Sequence, residues 1–360
     1  MYKKPFMPDD ARLFFKISPR RILRIVAIVA IVTIVGIGTL GIPGLAGATA
    51  TSAQTPSFNW RHKSPAAKPP VDVFGAMAYD PALGETVLFG GGDASPDTWA
   101  WNGTTWNIIA TTGPTPRDMV QMAYDAKTRS LVLFGGVGVD GTAGCDQCDD
   151  TWTFDGTWQQ QHPANSPSWR DSYSMAYDPT TKRVVLAGGS GFHLRNTWLW
   201  NGTNWNRSPS TPFGANVQAN FDATMTYDPA LEALIYFGGV SDTSDGILTD
   251  AETWEWAGSS WTQLSPTTSP PPRTFAGASY WASAGGVVVF GGAPTDGSLT
   301  FLNDTWVFNG TTWTQLVTKR SPAPRWGLQM APASKNGPPL VFGGFVGRKA
   351  QNDTWILDHT

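Results

Sequence analysis

Four arginines occupy equivalent places along the 360-residue chain. Arg117, Arg170, Arg273 and Arg325 each follow proline, as Pro-x-x-Arg or Pro-x-Arg, just before a segment that reads as a strand. A guanidinium fork matches a carboxylate, a sulfate or an acidic sugar, so four of them at equivalent places are candidate ligand-binding residues. The same repetition also suits arginines that each hold a carbonyl or an acid of their own unit. Trp169 and Trp326 adjoin two of these arginines and could either stack on a sugar ring or pack a loop. Cys145 and Cys148, in Cys-Asp-Gln-Cys-Asp-Asp, are a candidate disulfide. A redox role would want a helix N-terminus beside the thiolate, and a metal site would want more cysteine or histidine than Asp146, Asp149 and Asp150 provide. Asp242, Asp245, Asp250 and Glu252 lie close together and could serve as hydrolytic carboxylates, though an acidic loop is ordinarily just solvated. The four histidines, His62, His162, His193 and His359, offer no two placed to share a ligand. Neither a Ser/His/Asp arrangement nor a phosphate loop before a helix is recognisable. No catalytic residue, metal or cofactor is assigned.

The elements that must position these groups are legible in composition. The chain is 41% hydrophobic and only 15% charged, with 39 Gly, 28 Pro and 18 Trp. Low charge argues against a disordered or coiled-coil chain, and Gly, Pro and Trp together suit short strands and tight turns. An all-β body is expected.

The amino terminus is different. Residues 1–24 carry seven basic side chains, and Ile25–Ile42 is an uncharged run of 18 residues. As a helix that run is about 27 Å long, close to the thickness of a bilayer core. The positive-inside rule keeps residues 1–24 in the cytoplasm and exports the chain beyond Ile42. The length of the run favours a retained transmembrane helix over 25–45, whereas Ala46-Gly47-Ala48 and Ala48-Thr49-Ala50 offer signal cleavage. The product is a single-pass membrane protein in the first case and a secreted one in the second. Without the basic tail, 18 basic and 26 acidic residues remain, a formal charge of −8. That charge excludes nucleic acid as a partner.

An internal repeat organises the rest. An apolar run ending in a Gly doublet occurs six times, at Gly91, Gly136, Gly189, Gly239, Gly292 and Gly344. Each doublet is followed, after a variable loop, by a Thr-Trp pair, at Trp99, Trp152, Trp198, Trp254, Trp306 and Trp355. Five units then show a turn and another Trp: Trp106, Trp158, Trp205, Trp261 and Trp313. Each unit reads as four antiparallel strands, a to d. Asp80-Pro81, Asp178-Pro179 and Asp228-Pro229 turn a into b, and Asn102-Gly103, Asn201-Gly202 and Asn309-Gly310 turn c into d. The Asn-Gly-Thr triplets also match a glycosylation pattern.

This pattern resembles the kelch repeat over residues 58–360. The resemblance implies a β-propeller whose blades are these units. The sixth unit stops at Thr360 without a strand d, while Phe58-Asn59-Trp60 has the look of one. A six-bladed propeller (58–360) is therefore expected, closed by an N-terminal outer strand and joined by a linker (46–57) to the membrane segment. The b–c and d–a loops share one face, and the b–c loops at 93–97, 137–149, 240–251 and 293–303 vary most. Variable loops on a rigid scaffold are the usual place for binding. The expected function is an extracytoplasmic binding or scaffold module for a protein or carbohydrate ligand. The alternative is a carbohydrate-active or galactose-oxidase-like enzyme, since galactose oxidase contains a propeller of this type. Its copper site would need two His ligands and a Tyr cross-linked to Cys, and no such set is recognisable here.

Overall fold

The computed structural model describes residues 58–359 apart from 93–94, 140–143, 191–193, 214–216, 244–245 and 295–299. The segments at 1–24, 25–45 and 46–57, together with His193 and Asp245, lie outside the described residues. No helix among the described residues is long and apolar enough to cross a membrane.

Six four-stranded antiparallel sheets follow one another around a ring. Blade 1 runs Ala76–Asp80, Glu85–Phe89, Thr98–Trp101 and Trp106–Ala110. Blade 2 runs Gln121–Asp125, Ser130–Phe134, Thr151–Phe154 and Trp158–Gln161. Blade 3 is Ser174–Asp178, Arg183–Ala187, Thr197–Trp200 and Trp205–Arg207. Blade 4 is Thr224–Asp228, Ala233–Phe237, Thr253–Trp256 and Trp261–Leu264. Blade 5 is Gly277–Trp281, Gly286–Phe290, Thr305–Phe308 and Trp313–Leu316. Blade 6 takes Gln329–Pro332, Pro339–Phe342 and Thr354–His359 from the C-terminal end, and its outer strand is Phe58–Lys63. That outer strand pairs along its whole length, from Phe58 opposite His359 to Lys63 opposite Thr354. The pairing covers an edge that would otherwise be open to another chain.

Strand b explains the uninterrupted apolar runs. In a sheet with blades on both faces, alternate side chains enter different cores, so no position is left for water. Val87 and Phe89 pack toward blade 2 with Val120, Met122 and Leu133, while Leu88 packs toward blade 6 with Leu340 and Phe342.

The repeated Thr and Trp form latches between blades. The strand-d indole N–H donates to the first strand-c threonine of the preceding blade at all six interfaces. Trp60 bonds Thr305, Trp106 bonds Thr354, Trp158 bonds Thr98, Trp205 bonds Thr151, Trp261 bonds Thr197 and Trp313 bonds Thr253, at 2.8–3.0 Å. Trp60 of the N-terminal strand therefore supplies one of the six.

The b–c and d–a loops contain structure that the sequence pattern leaves as loop. Val217–Phe221, Val240–Thr243 and Gly246–Thr249 form a three-stranded sheet at blade 4. Arg117–Asp118 pairs with Val137–Gly138, and Phe345–Val346 pairs with Lys349–Ala350. Such short ladders give little period to read, so only the neighbouring backbone makes them strands. In blade 5 the a–b turn is a 3-10 turn, Ala282–Ala284, where blades 1, 3 and 4 have Asp-Pro.

Candidate functional site

The d–a connections carry the four arginines to the loop face, but the side chains turn into their own blades. Arg117, Arg170, Arg273 and Arg325 are at most 1% exposed. Each Nε donates to the carbonyl two residues earlier, at Thr115, Ser168, Pro271 or Ala323. Each Nη1 donates to the first glycine of its own doublet, Gly135, Gly188, Gly291 or Gly343, at 2.9–3.0 Å. Three arginines also form two-pronged ion pairs with the acid just before strand c: Arg117 with Asp150, Arg273 with Asp304 and Arg325 with Asp353. The expectation that these guanidinium groups ring the mouth as ligand donors is corrected here. Their donors are engaged by the corner between strands b and c, where they tie the d–a loop to the b–c loop.

The acids in these corners are held ionised. Burial works to raise the carboxyl pKa of Asp150, Asp304 and Asp353. Hydrogen bonds and charge from the paired arginine, with the indole N–H two residues on, outweigh it and leave each below its ordinary value. Blade 3 departs from this arrangement. Asn196 stands where the others have Asp, accepting from Arg170 Nη1 at 2.9 Å. With no carboxylate there, burial pushes the Arg170 pKa down to about 10. Blades 1 and 4 lack the arginine and carry Asp72 and Asn220 instead. Asn220 Nδ2 donates to Ser241 and Asp250 at 2.9 and 3.1 Å, closing the blade 4 corner. Burial raises Asp250 to about 6, helped by neighbouring Glu252.

Cys145 and Cys148 are joined by a disulfide in the loop that leads to Asp150. Cys148 N donates to Gly136 O, fixing this loop to the blade 2 corner. Cys145, Cys148 and Asp150 bring ligand atoms within 4.8 Å of one another, but sulfurs bonded to each other offer no thiolate.

The mouth itself is lined by residues two positions after the arginine place. Phe74, Met119, Ser172, Asp222, Phe275 and Gly327 each precede the first glycine of their doublet by sixteen residues. All six have positive φ, between 50° and 63°. Left-handed backbone costs a non-glycine residue about 1–2 kcal/mol, so something must hold it. A belt of backbone hydrogen bonds does so. Phe74 N donates to Gly327 O, Ser172 N to Met119 O, Asp222 N to Ser172 O, Phe275 N to Asp222 O and Gly327 N to Phe275 O, at 2.8–3.1 Å. These residues, with Gln121, Tyr173, Gln329 and others, enclose a cavity of about 60 Å³.

The mouth has two unlike sides. Blades 5, 6 and 1 supply Phe275, Trp326, Phe345 and Phe74, with ring centroids 5.1–6.1 Å apart. Trp326 is sandwiched between Phe301 and Phe345. Blades 3 and 4 supply Asp171 and Asp222. Burial raises Asp171 to about 6 against hydrogen bonds from Ser172 and Ser190; burial, with the charge of neighbouring Asp171, also raises Asp222 well above the carboxylate range against a hydrogen bond from Ser172. Asp222 Oδ1 is shut off from solvent without a hydrogen-bond partner. Of the two tryptophans singled out in the sequence, Trp326 joins this aromatic group. Trp169, half-buried in the connection from blade 2 to blade 3, does not. The constant sixteen-residue spacing before the Gly doublet is the signal that could have found the mouth residues. Their types vary from unit to unit, so no motif marks them.

Comparison with known proteins agrees with the repeat and the ring. Residues 223–360 match the KLHDC2/KLHL20/DRC7 Kelch-repeats domain. Residues 223–360 are thus similar to kelch repeats, and they form part of a six-bladed propeller. The solved structure of YjhT is similar to it at a TM-score of 0.62 and 15% identity, over 81% of this chain and 95% of that one. At that identity the likeness concerns the propeller fold alone. No curated protein matches the chain.

Proposed function

We propose that the chain is a membrane-tethered, exported binding module whose kelch propeller engages a protein partner on the b–c/d–a face. The observation that carries this reading is the unlikeness of the two faces. One face bears the accessory ladders at blades 2, 4 and 6, anchored by buried arginine corners at blades 2 and 6 and by Asn220 at blade 4. The other bears short turns such as Asn102-Gly103 and Asn309-Gly310, closed by their own asparagine side chains. A rigid body that raises irregular structure on one side only is suited to surface recognition. The cavity at the mouth is far smaller than the roughly 300–1,000 Å³ of pockets that enclose small molecules. Export rests on the basic tail followed by the apolar run, and the Cys145–Cys148 bond suits an oxidising compartment.

A photo-reactive residue at the exposed Lys349, on the loop face, should form polypeptide adducts in intact cells, and one at Thr104, on the opposite face, should not. A C-terminal tag should be reached by an impermeant label. Equal adducts at both positions, or binding on a glycan array without any adduct, would overturn the protein-binding reading.

A further inference from the structure

We propose that the channel mouth is a seat for one basic side chain, lysine or arginine, presented by the partner protein. The inference rests on the protein-binding reading above and gives it a chemistry, opposite in charge to the acidic ligand the arginines suggest in the sequence.

The first ground is what the arginines do. All four are buried in their own corners, and none of them is among the residues that line the cavity. The groups that line it instead are a carboxyl, two phenyl rings, a thioether, a hydroxyl and amides: Asp222, Phe74 and Phe275, Met119, Ser172, Gln121 and Gln329. Among these the one ionisable carboxyl is Asp222, beside the Ser172 hydroxyl.

The second ground is the position of the rings. Phe275 follows Asp222 in the backbone belt, its N–H donating to the Asp222 carbonyl at 2.9 Å. Phe74 lies 5.1 Å from Phe275 between centroids, so acid and aromatic surface border the same cavity. A cation beside a carboxylate and over phenyl faces gains from both. Trp326, itself held between Phe301 and Phe345, backs Phe74 and Phe275 at 5.5 and 5.4 Å and limits their freedom to turn away. Preorganisation of this kind lowers the entropic cost of binding.

Size and charge agree. About 60 Å³ admits the tip of a side chain rather than a sugar ring or a helix. The raised pKa of Asp171 and Asp222 is what two neighbouring acids show when they are removed from water without a counter-charge, and a cation supplies one. The chain beyond the apolar run has a formal charge of −8, which favours approach of a basic partner.

The test uses the full-length chain with its methionine methyls labelled for NMR, since Met119 lines the cavity. n-Butylguanidinium and n-butylammonium, which stand for the two side chains, should shift the Met119 resonance saturably. Propionate and n-butanol should not. Asp222→Asn should weaken the cation response at least tenfold, and Phe275→Leu several-fold, while the other methionine resonances keep their native positions. A Met119 resonance indifferent to both cations, or one that answers propionate equally, would overturn the proposal. So would an undiminished cation response in either folded variant. If face-specific adducts form at Lys349 while Met119 does not respond, the basic-side-chain seat fails and the protein-binding reading stands. If adducts fail as well, both readings fall.

Discussion

Replacing Arg325 by methionine keeps most of the aliphatic stem and removes the guanidinium. The Gly343 carbonyl and the paired Asp353 oxygens then lose their donor, leaving Asp353 with the Trp355 indole N–H at 2.7 Å. Removing one partner of a buried ion pair costs about 3–5 kcal/mol. The Asp353 side chain is 23% exposed, so water meets part of its need and the lower end, ~3 kcal/mol, applies. For a body of this size that corresponds to a melting temperature lowered by on the order of 5 °C. Arg61, paired with Asp358 at 3.0 Å with both side chains about half exposed, is the control. Its replacement by methionine should change stability by only ~0–1 kcal/mol. Linkage adds a second mark. The Asp353 pKa is lowered from 3.8 in the fold, so its contribution is present above that value and is lost as pH falls through the lower folded value. The difference between wild type and Arg325→Met should therefore shrink in acid below about pH 4. Thermal melts from pH 3 to 7 on the two variants, and on Asp353→Asn alone and combined with Arg325→Met, measure all of this. An Arg325→Met protein as stable as Arg61→Met at pH 7 would refute the account of the corner.

Three further outcomes are expected. Asn196→Asp should give Arg170 the carboxylate the other arginines have, raising stability by ~1 kcal/mol in a denaturant melt because a charged acceptor replaces a neutral one. Thr305→Val should leave the buried Trp60 indole N–H unpaired and cost ~1–3 kcal/mol, a loss seen also as faster protease cleavage of the released N-terminal strand. Asp171 titrates at about 6 in the fold against 3.8 unfolded, so its contribution is complete below 3.8 and disappears as pH rises through 6. Asp171→Asn should remove up to ~3 kcal/mol of the fall in stability between pH 4 and 6.5, while Asp250, also raised to about 6, preserves part of the slope. An unaltered slope in that variant would rule out the burial argument.

How much of this was readable from residue order depends on how local each cause is. The apolar run before each Gly doublet announces a strand buried on both faces, and Phe58–Trp60 resembles the outer strand missing after Thr354–His359 because both are short-range patterns. The Thr-Trp pair and the later Trp were visible as repeated positions. That they bond across blades was not visible, since Trp60 and Thr305 are 245 residues apart. The direction of the arginines is of the same kind. Pro-x-x-Arg marks the position, but whether the fork reaches the channel or the corner depends on a carbonyl eighteen residues later and an acid before strand c. The mouth was the least legible part. Phe74, Met119, Ser172, Asp222, Phe275 and Gly327 share a spacing and a left-handed backbone but not one common residue type. Repetition in sequence records what every blade needs, namely strands, turns and latches. What the six blades do not share, an acid on one side of the mouth and aromatic rings on the other, acquires meaning only once ring closure brings the ends of the chain together.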